Sequence, residues 1–333
     1  MRIGQYLDEQ VKSGLKGDFD SGWKISEKLE KKAPNDPRAK FNRGWFLLTK
    51  GELLDGHRAM DAGRQINVFG NRHCGTSAPI WDGKSKGNIM LVLEGGIGDQ
   101  IHGLRFVDYI KPTVIACSKE IWPLIDTDIQ LVTIEAAGGV DIQYWVPSMS
   151  AVTILELEYA DIKGHSYINK TAQPIKDRIG IRWSGNPEFE HQQHRLFPAN
   201  LMFDAIKGLD CISLQRDGGS ELKPNYMPQA DVTDWTATRR EISLCELVIT
   251  SCTSVAHLSA AMGVPTWIVV PVLSYYLWAM PGIKSPFYDS VTLFRQEKYG
   301  DWSAPFETFD VLKLCFKSPT IQMFKITDTV ITK

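Results

Sequence analysis

A chain of 333 residues, 43% hydrophobic and 23% charged, holds apolar material for more than one folded unit, so two or three are expected. Its formal net charge of -2 offers no overall attraction to nucleic acid or a membrane surface, although a local basic patch is compatible with a neutral total. No apolar run approaches the roughly 18 residues of a bilayer span, and the charged N-terminal stretch does not read as a secretory signal. The six cysteines (Cys74, Cys117, Cys211, Cys245, Cys252 and Cys315) are scattered. They form no C-x-x-C pair and lie near no His at metal-ligand spacing. Buried thiols in a reducing, cytoplasmic compartment are expected, with no metal site and no membrane insertion.

Residues 1–65 read as helices. Asp18 or Asp20 can cap a segment through Trp23, Ile25 and Leu29, and a second segment carries Phe41, Trp45, Leu48 and Leu53. The Pro34-Asn35-Asp36-Pro37 break between them resembles that of one tetratricopeptide repeat. About three such repeats are needed for a self-supporting array, so a helical cap packed on the next unit is expected rather than a free peptide-binding surface. Residues 66–88, rich in Gly, Asn, Ser and Pro, read as a connecting loop.

Residues 88–94 then form a continuous apolar run, the pattern of a buried parallel strand, and lead through a Gly-rich turn into a helical pattern. Further strand-like runs fall at 113–117, 130–134 and 142–146. The pattern restarts at 178–183 and continues at 211–215, 247–250 and 266–271, with an apolar helix at 253–262. Two successive strand–loop–helix series predict an α/β chain with two Rossmann-like halves facing a cleft, hinged near 165–177. The divisions are 1–75 (helical cap and linker), 76–170 and 171–302 (the two Rossmann-like units) and 303–333 (a C-terminal helical tail).

Three segments carry candidate chemistry. In the first, Gly95, Gly96 and Gly98 put bare N–H groups at a helix N-terminus, where negative charge is stabilised. This turn lacks the full G-x-G-x-x-G spacing of a dinucleotide site. It places Asp99 and His102 at the carboxyl edge of a strand, where ligands sit in open α/β sheets and a carboxylate can take a proton from a hydroxyl. An Asp that merely complements the helix dipole explains the same residue equally well. In the second segment, Trp183, Ser184, Gly185 and Asn186 are followed by His191, His194 and Arg195. Small polar residues with an arginine suit a departing diphosphate, and a surface loop with chance histidines is the bland alternative. The third runs from Thr250 to Leu258. Here Thr253 and Ser254 open a helix and can present hydroxyls and N–H groups to phosphate, with His257 one turn further on.

Taken together, these segments resemble a known family. The stretches 94–106, 179–187, 212–215 and 246–267, with 79–83 and 293–302 in the expected order, are similar to the tetratricopeptide-linked bacterial glycosyltransferases and the lipopolysaccharide heptosyltransferases. The resemblance spans roughly residues 40–302. It implies the GT-B fold, metal-independent transfer, an acceptor in the N-terminal half and a nucleotide-sugar donor, a UDP-sugar favoured, in the C-terminal half. By matching positions it implies Asp99 as general base, Arg195 with Thr253, Ser254 and His257 as diphosphate contacts, and Gln215 near the nucleotide. Cys252 departs from the family's usual aspartate, and Gln100 from the commoner Thr or Val; the first leaves a ribose contact and the choice of donor open.

No residue encodes the acceptor. Hydroxymethylated cytosine in phage-type DNA is one candidate, for which Lys84, Lys86, Arg105, Lys111, Arg239 and Arg240 would have to line a basic groove. A protein, lipid or glycan is the other. A non-catalytic nucleotide-sugar or interaction module competes from a different class, with a nicotinamide-dependent oxidoreductase more remote. The oligomeric state is not encoded either.

Overall fold

The computed structural model describes residues 2–188 and 192–316; His191 and the tail beyond residue 316 lie outside the described residues. Four helices open the chain: α1 (Ile3–Lys16), α2 (Phe19–Lys32), α3 (Pro37–Thr49) and α4 (Leu53–Met60). Of the two candidate caps, Asp18 closes α2 by accepting from Ser21 N at 3.1 Å. The Pro-Asn-Asp-Pro break ends in a similar device: Asp36 accepts from Arg38 N at 2.9 Å and Pro37 occupies the first helical position.

Two sheets follow. The first is parallel, in the order β3-β2-β1-β4, from β1 (Ile89–Val92), β2 (Val114–Ala116), β3 (Gln130–Val132) and β4 (Tyr144–Pro147). Its connections carry α5 (Ile97–Gly103) and α6 (Val107–Ile110), and α7 (Ala151–Ile154) follows its last strand. The second has the order β6-β5-β7-β8-β10-β9, from β5 (Ile179–Arg182), β6 (Cys211–Ser213), β7 (Leu247–Ser251), β8 (Thr266–Val270), β9 (Lys284–Ser285) and β10 (Tyr288–Arg295). It is parallel except where β9 runs against β10. Its helices are α8 (Gln192–Arg195), α9 (Ala199–Ala205), α10 (Trp235–Ser243), α11 (Ser254–Ala261) and α12 (Ser303–Phe316). Strands β1, β5, β7 and β8 are buried at every residue, which accounts for their unbroken apolar runs.

The two sheet units share one core. A single cluster of buried side chains runs from Leu48 and Leu91 through Ile101 to Val248, Ile268 and Val291. At its centre α5 lies across α11, close enough that a β-carbon on Gly98 would come within 2.9 Å of the His257 ring and 3.3 Å of Ser254 Cα. The segment that joins the units is anchored too. The N–H groups of Tyr167 and Ile168 both donate to Ala261 O (2.9 and 3.0 Å), and Arg239 on α10 donates to Asn169 O, Pro123 O and Asp126.

The N-terminal helices touch both units. Towards the second, Gly14 and Gly17 leave room for Leu273 and Val272 in the turn after β8, and Trp45 meets Tyr275 and Tyr276 edge-on. Towards the first, the Arg64 guanidinium grips Glu94 with two bonds of 2.8 Å each and donates to Ser150 Oγ, whose hydroxyl in turn donates to Asp61. Glu94, just past β1, is 1% exposed and also accepts from Asn71 N at 2.8 Å. A buried carboxylate of this kind is tolerable only while paired. Arg64→Ala is therefore expected to destabilise the protein by about 3 kcal/mol or more in chemical denaturation, and Arg64→Lys, which keeps the charge but not the fork, by less. Equal stability of Arg64→Ala and the parent chain would remove Glu94 from its place as an anchor.

Candidate functional site

The carboxyl edges of β1 and of β5 and β7 meet where α5 crosses α11, and the sequence-predicted residues collect there in two layers. The solvent-facing layer comprises Gly95 and Gly96, which are exposed, and Gly98, Asp99, Arg195 and Ser254, which are half-buried. Behind it lie Trp183, Ser184, Gln215, His102, Thr253 and His257, all buried. Gly95 adopts a left-handed conformation (φ 76°) that lets the chain turn from β1 into α5.

Asp99 is held from two sides. Its Oδ2 accepts from Gly96 N at 3.1 Å, closing the start of α5, and its Oδ1 accepts from the Tyr275 hydroxyl at 2.7 Å. Removal from water outweighs both bonds and pushes the carboxyl up to about 6. An acid–base group poised there can exchange a proton near neutral pH. Tyr275 comes from the turn after β8 and was not among the residues singled out by motif.

Arg195 lies over Gly185, where a β-carbon would meet its Nη2 at 2.5 Å. Its Nη1 donates to Cys252 O at 2.9 Å and its Nη2 reaches Asn186 O at 3.4 Å. Cys252 Sγ in turn takes a bond from Trp278 Nε1 at 3.1 Å. Asp99, Tyr275, Cys252 and Arg195 thus share one electrostatic neighbourhood. Next to them α11 begins at Ser254, with its first N–H groups at the site and no side-chain cap from Thr253, whose hydroxyl lies 3.2 Å from that of Thr250. Ser251 Oγ is buried there with no hydrogen-bond partner among the described residues; no motif singled it out inside the Thr250–Leu258 stretch.

Four predicted residues serve the frame. Gln215 is 1% exposed, and its amide is used up by the chain: Oε1 accepts from Trp183 N and Ser184 N, while Nε2 donates to Ser184 O, Asp217 Oδ1 and Gly218 O. It braces the loop after β5. Trp183 is likewise packed, donating from Nε1 to Gly219 O at 3.0 Å. His102 and His257, 4% and 3% exposed, both meet the Tyr288 hydroxyl, at 3.3 and 3.0 Å. His257 also stacks on Trp278. Of the other histidines on the second segment, His194 pairs with Tyr299 at 3.2 Å, away from Asp99.

The residues gathered as a basic groove divide as well. Lys84, Lys86, Lys111 and Arg240 are exposed. Arg239 is committed to Asp126, and Arg105 is buried among the rings of Tyr288, Tyr167 and Phe287, its carbon 4.5, 5.2 and 5.3 Å from their centres. Among the described residues no group of three or more His, Cys, Asp or Glu side chains is placed to hold a metal ion, and no helix is long and apolar enough to cross a membrane.

Burial keeps the inner histidines neutral: it pushes His257 down to about 3 and His57 to about 4, and His102 falls well below its ordinary value of 6.5 with Arg105 adding to the effect. Each binds its proton more weakly folded than unfolded. Their contribution is therefore complete above pH 6.5 and is lost as the pH falls towards 3. Unfolding free energy should drop between pH 6.5 and 5 at up to about 1.4 kcal/mol per pH unit for each histidine, with Asp99, whose raised value acts in the opposite sense, offsetting one of them. Denaturation of His257→Gln across this range checks it; an unchanged slope would contradict the neutral assignment.

The sequence matches no protein-family model and no curated protein. Among solved structures, it is similar to the dodecameric iron-containing heptosyltransferase TibC in complex with ADP-D-beta-D-heptose, at 12% identity and TM-score 0.43 over 70% of this chain and 74% of that one. A second similar structure is the iron-containing dodecameric glycosyltransferase TibC from enterotoxigenic E. coli, at 14% identity and TM-score 0.40 over 69% of this chain and 73% of that one. A likeness this distant gives no residue of this chain a role.

Proposed function

We propose that this chain is a glycosyltransferase of GT-B type that moves a sugar from a nucleotide-diphosphate sugar to a hydroxyl acceptor without a metal ion. The observation that carries the reading is that Asp99, from the first sheet unit, and Arg195, from the second, lie on either side of Cys252, with α5 packed against the start of α11. The ordered sequence motifs point the same way. Asp99 takes the proton as the acceptor oxygen forms its bond to the anomeric carbon. The bond from that carbon to the diphosphate oxygen breaks, and the electron pair leaves with the nucleoside diphosphate. Arg195 and the first N–H groups of α11 meet the charge that develops there, the task a cation performs elsewhere. Ser254, Thr253 and Ser251 add hydroxyls at the same helix end, and Gly95, Gly96 and Gly98 form a phosphate loop at the start of α5.

In this reading His102, His257, Trp183 and Gln215 position the site from behind. A UDP-sugar remains the favoured donor. For the acceptor, burial of Arg105 and Arg239 leaves four of the six cations available to a DNA groove. Hydroxymethylated cytosine stays among the candidates beside protein, lipid and glycan hydroxyls.

The test is release of nucleoside diphosphate from a panel of UDP-, GDP- and ADP-sugars, with binding followed by thermal shift. Asp99→Asn should lower turnover by about 100-fold or more while leaving nucleotide binding in place. Activity of the parent chain should rise as pH passes through about 6, where Asp99 ionises. Binding of a nucleotide sugar with no turnover by the parent chain would instead favour a non-catalytic module, and Asp99→Asn turning over at the parent rate would remove Asp99 as base.

A further inference from the structure

We propose that Tyr275 is a positioning residue for Asp99, a phenol from the second sheet unit, backed by the N-terminal helices, that fixes the carboxylate contributed by the first. The inference rests on the reading of Asp99 as proton acceptor and adds to it the part of the chain that sets its orientation.

The geometry is two-sided. Gly96 N–H holds Oδ2 from within the same turn, and Tyr275 holds Oδ1 across the junction of the two units. One bond alone would leave a carboxylate free to swing about its terminal torsion, which is broad and weakly restrained. Two bonds to different oxygens fix the plane, and each oxygen keeps lone-pair capacity for an incoming hydroxyl. Tyr275 keeps the proton it donates, since burial, and then the neighbouring carboxylate, hold its hydroxyl protonated well above the ordinary tyrosine range.

The ring itself is steadied. Tyr276 packs against it at 4.6 Å between centres, and Trp45 on α3 meets it edge-on at 6.3 Å. Tyr276 is in turn held by His57 on α4 at 5.6 Å and by Phe69 at 5.5 Å. The turn that presents Tyr275 is therefore backed by α3 and α4 and anchored by Val272 and Leu273 against α1. The helices thus bear on the chemistry through one hydroxyl. Besides Tyr275, the titratable groups facing Asp99 are Tyr276 and Cys252, with Arg195 beyond Cys252 and His257 behind Gly98. Among the described residues Tyr275 alone donates to the carboxylate from a side chain.

Tyr275→Phe in the full chain is the test, because it deletes the hydroxyl and keeps the ring on Trp45. Carbon-13 NMR of aspartate-labelled protein, with the Asp99 signal assigned by its loss in Asp99→Asn, follows the carboxyl directly. Its midpoint should rise by about 0.5 or more in pH when the bond is removed. In turnover, kcat should fall about 10-fold or more, with KM for the donor nearly unchanged and the acid limb of the pH profile displaced upward by the same amount as the NMR midpoint. Trp45→Leu should move both readouts in the same direction by less. An Asp99 midpoint that stays at the parent value in Tyr275→Phe overturns the proposal, as does a moved midpoint with parent-like kcat. Failure of the underlying reading looks different: Asp99→Asn would then turn over at the parent rate, whatever the NMR midpoint does.

Discussion

The rest of the site depends on how closely α5 and α11 approach. Helices pack at the distance their side chains allow, and at Gly98 the only side chain is a hydrogen. That absence brings Ser254 and the His257 ring against the first turn of α5. Asp99 then sits beside the end of β7 and the turn after β8. A bulkier residue at this one position would drive the helices apart. The Asp99–Tyr275 bond, the shared grip of His102 and His257 on Tyr288, and the neighbourhood of Asp99 and Cys252 would all lengthen together.

Much of the architecture was legible in the sequence, and the reason is burial. Strands covered on both faces must be apolar throughout, so the runs at 88–94, 178–183, 247–250 and 266–271 read as strands; β1, β5 and β8 lie inside them, and β7 ends one residue beyond its run. The β9–β10 pair escaped notice because β9 is only two residues long, and exposed and half-buried residues interrupt the buried run of β10. The motif residues gather at one place in the fold, but the motifs did not reveal which way each side chain points. Trp183, Gln215, His102 and His257 stand among glycines and hydroxyls in the sequence just as ligand contacts would; only the fold shows that Trp183 and Gln215 are bonded within the chain and that each histidine turns its Nδ1 to Tyr288. Tyr275 was invisible for a simpler reason. Its partner is 176 residues away, and nothing local marks a tyrosine that will meet a carboxylate from another sheet.

The interior electrostatics follow from the same layering. Burial strips the inner histidines of charge, while Arg105 keeps its own because a guanidinium does not release its proton. Its charge rests on aromatic faces instead of a carboxylate. Further out, Asp99 and Arg195 are half-buried, and Arg195 is fastened by carbonyls, so the outer layer holds the ionisable groups nearest to solvent.

The N-terminal helices have a mechanical consequence. They are bonded to the first unit through Arg64 and wedged against the second through Trp45, Leu273 and Val272, while Arg239 and the 167–168 backbone rivet the far side. A frame fastened on two sides resists the wide opening that a single free hinge would permit. Exchange of small molecules at the Asp99 site then falls to its solvent-facing rim, near the exposed Gly95, Gly96 and Asn186. Loop displacements there cost far less than prising two sheets apart.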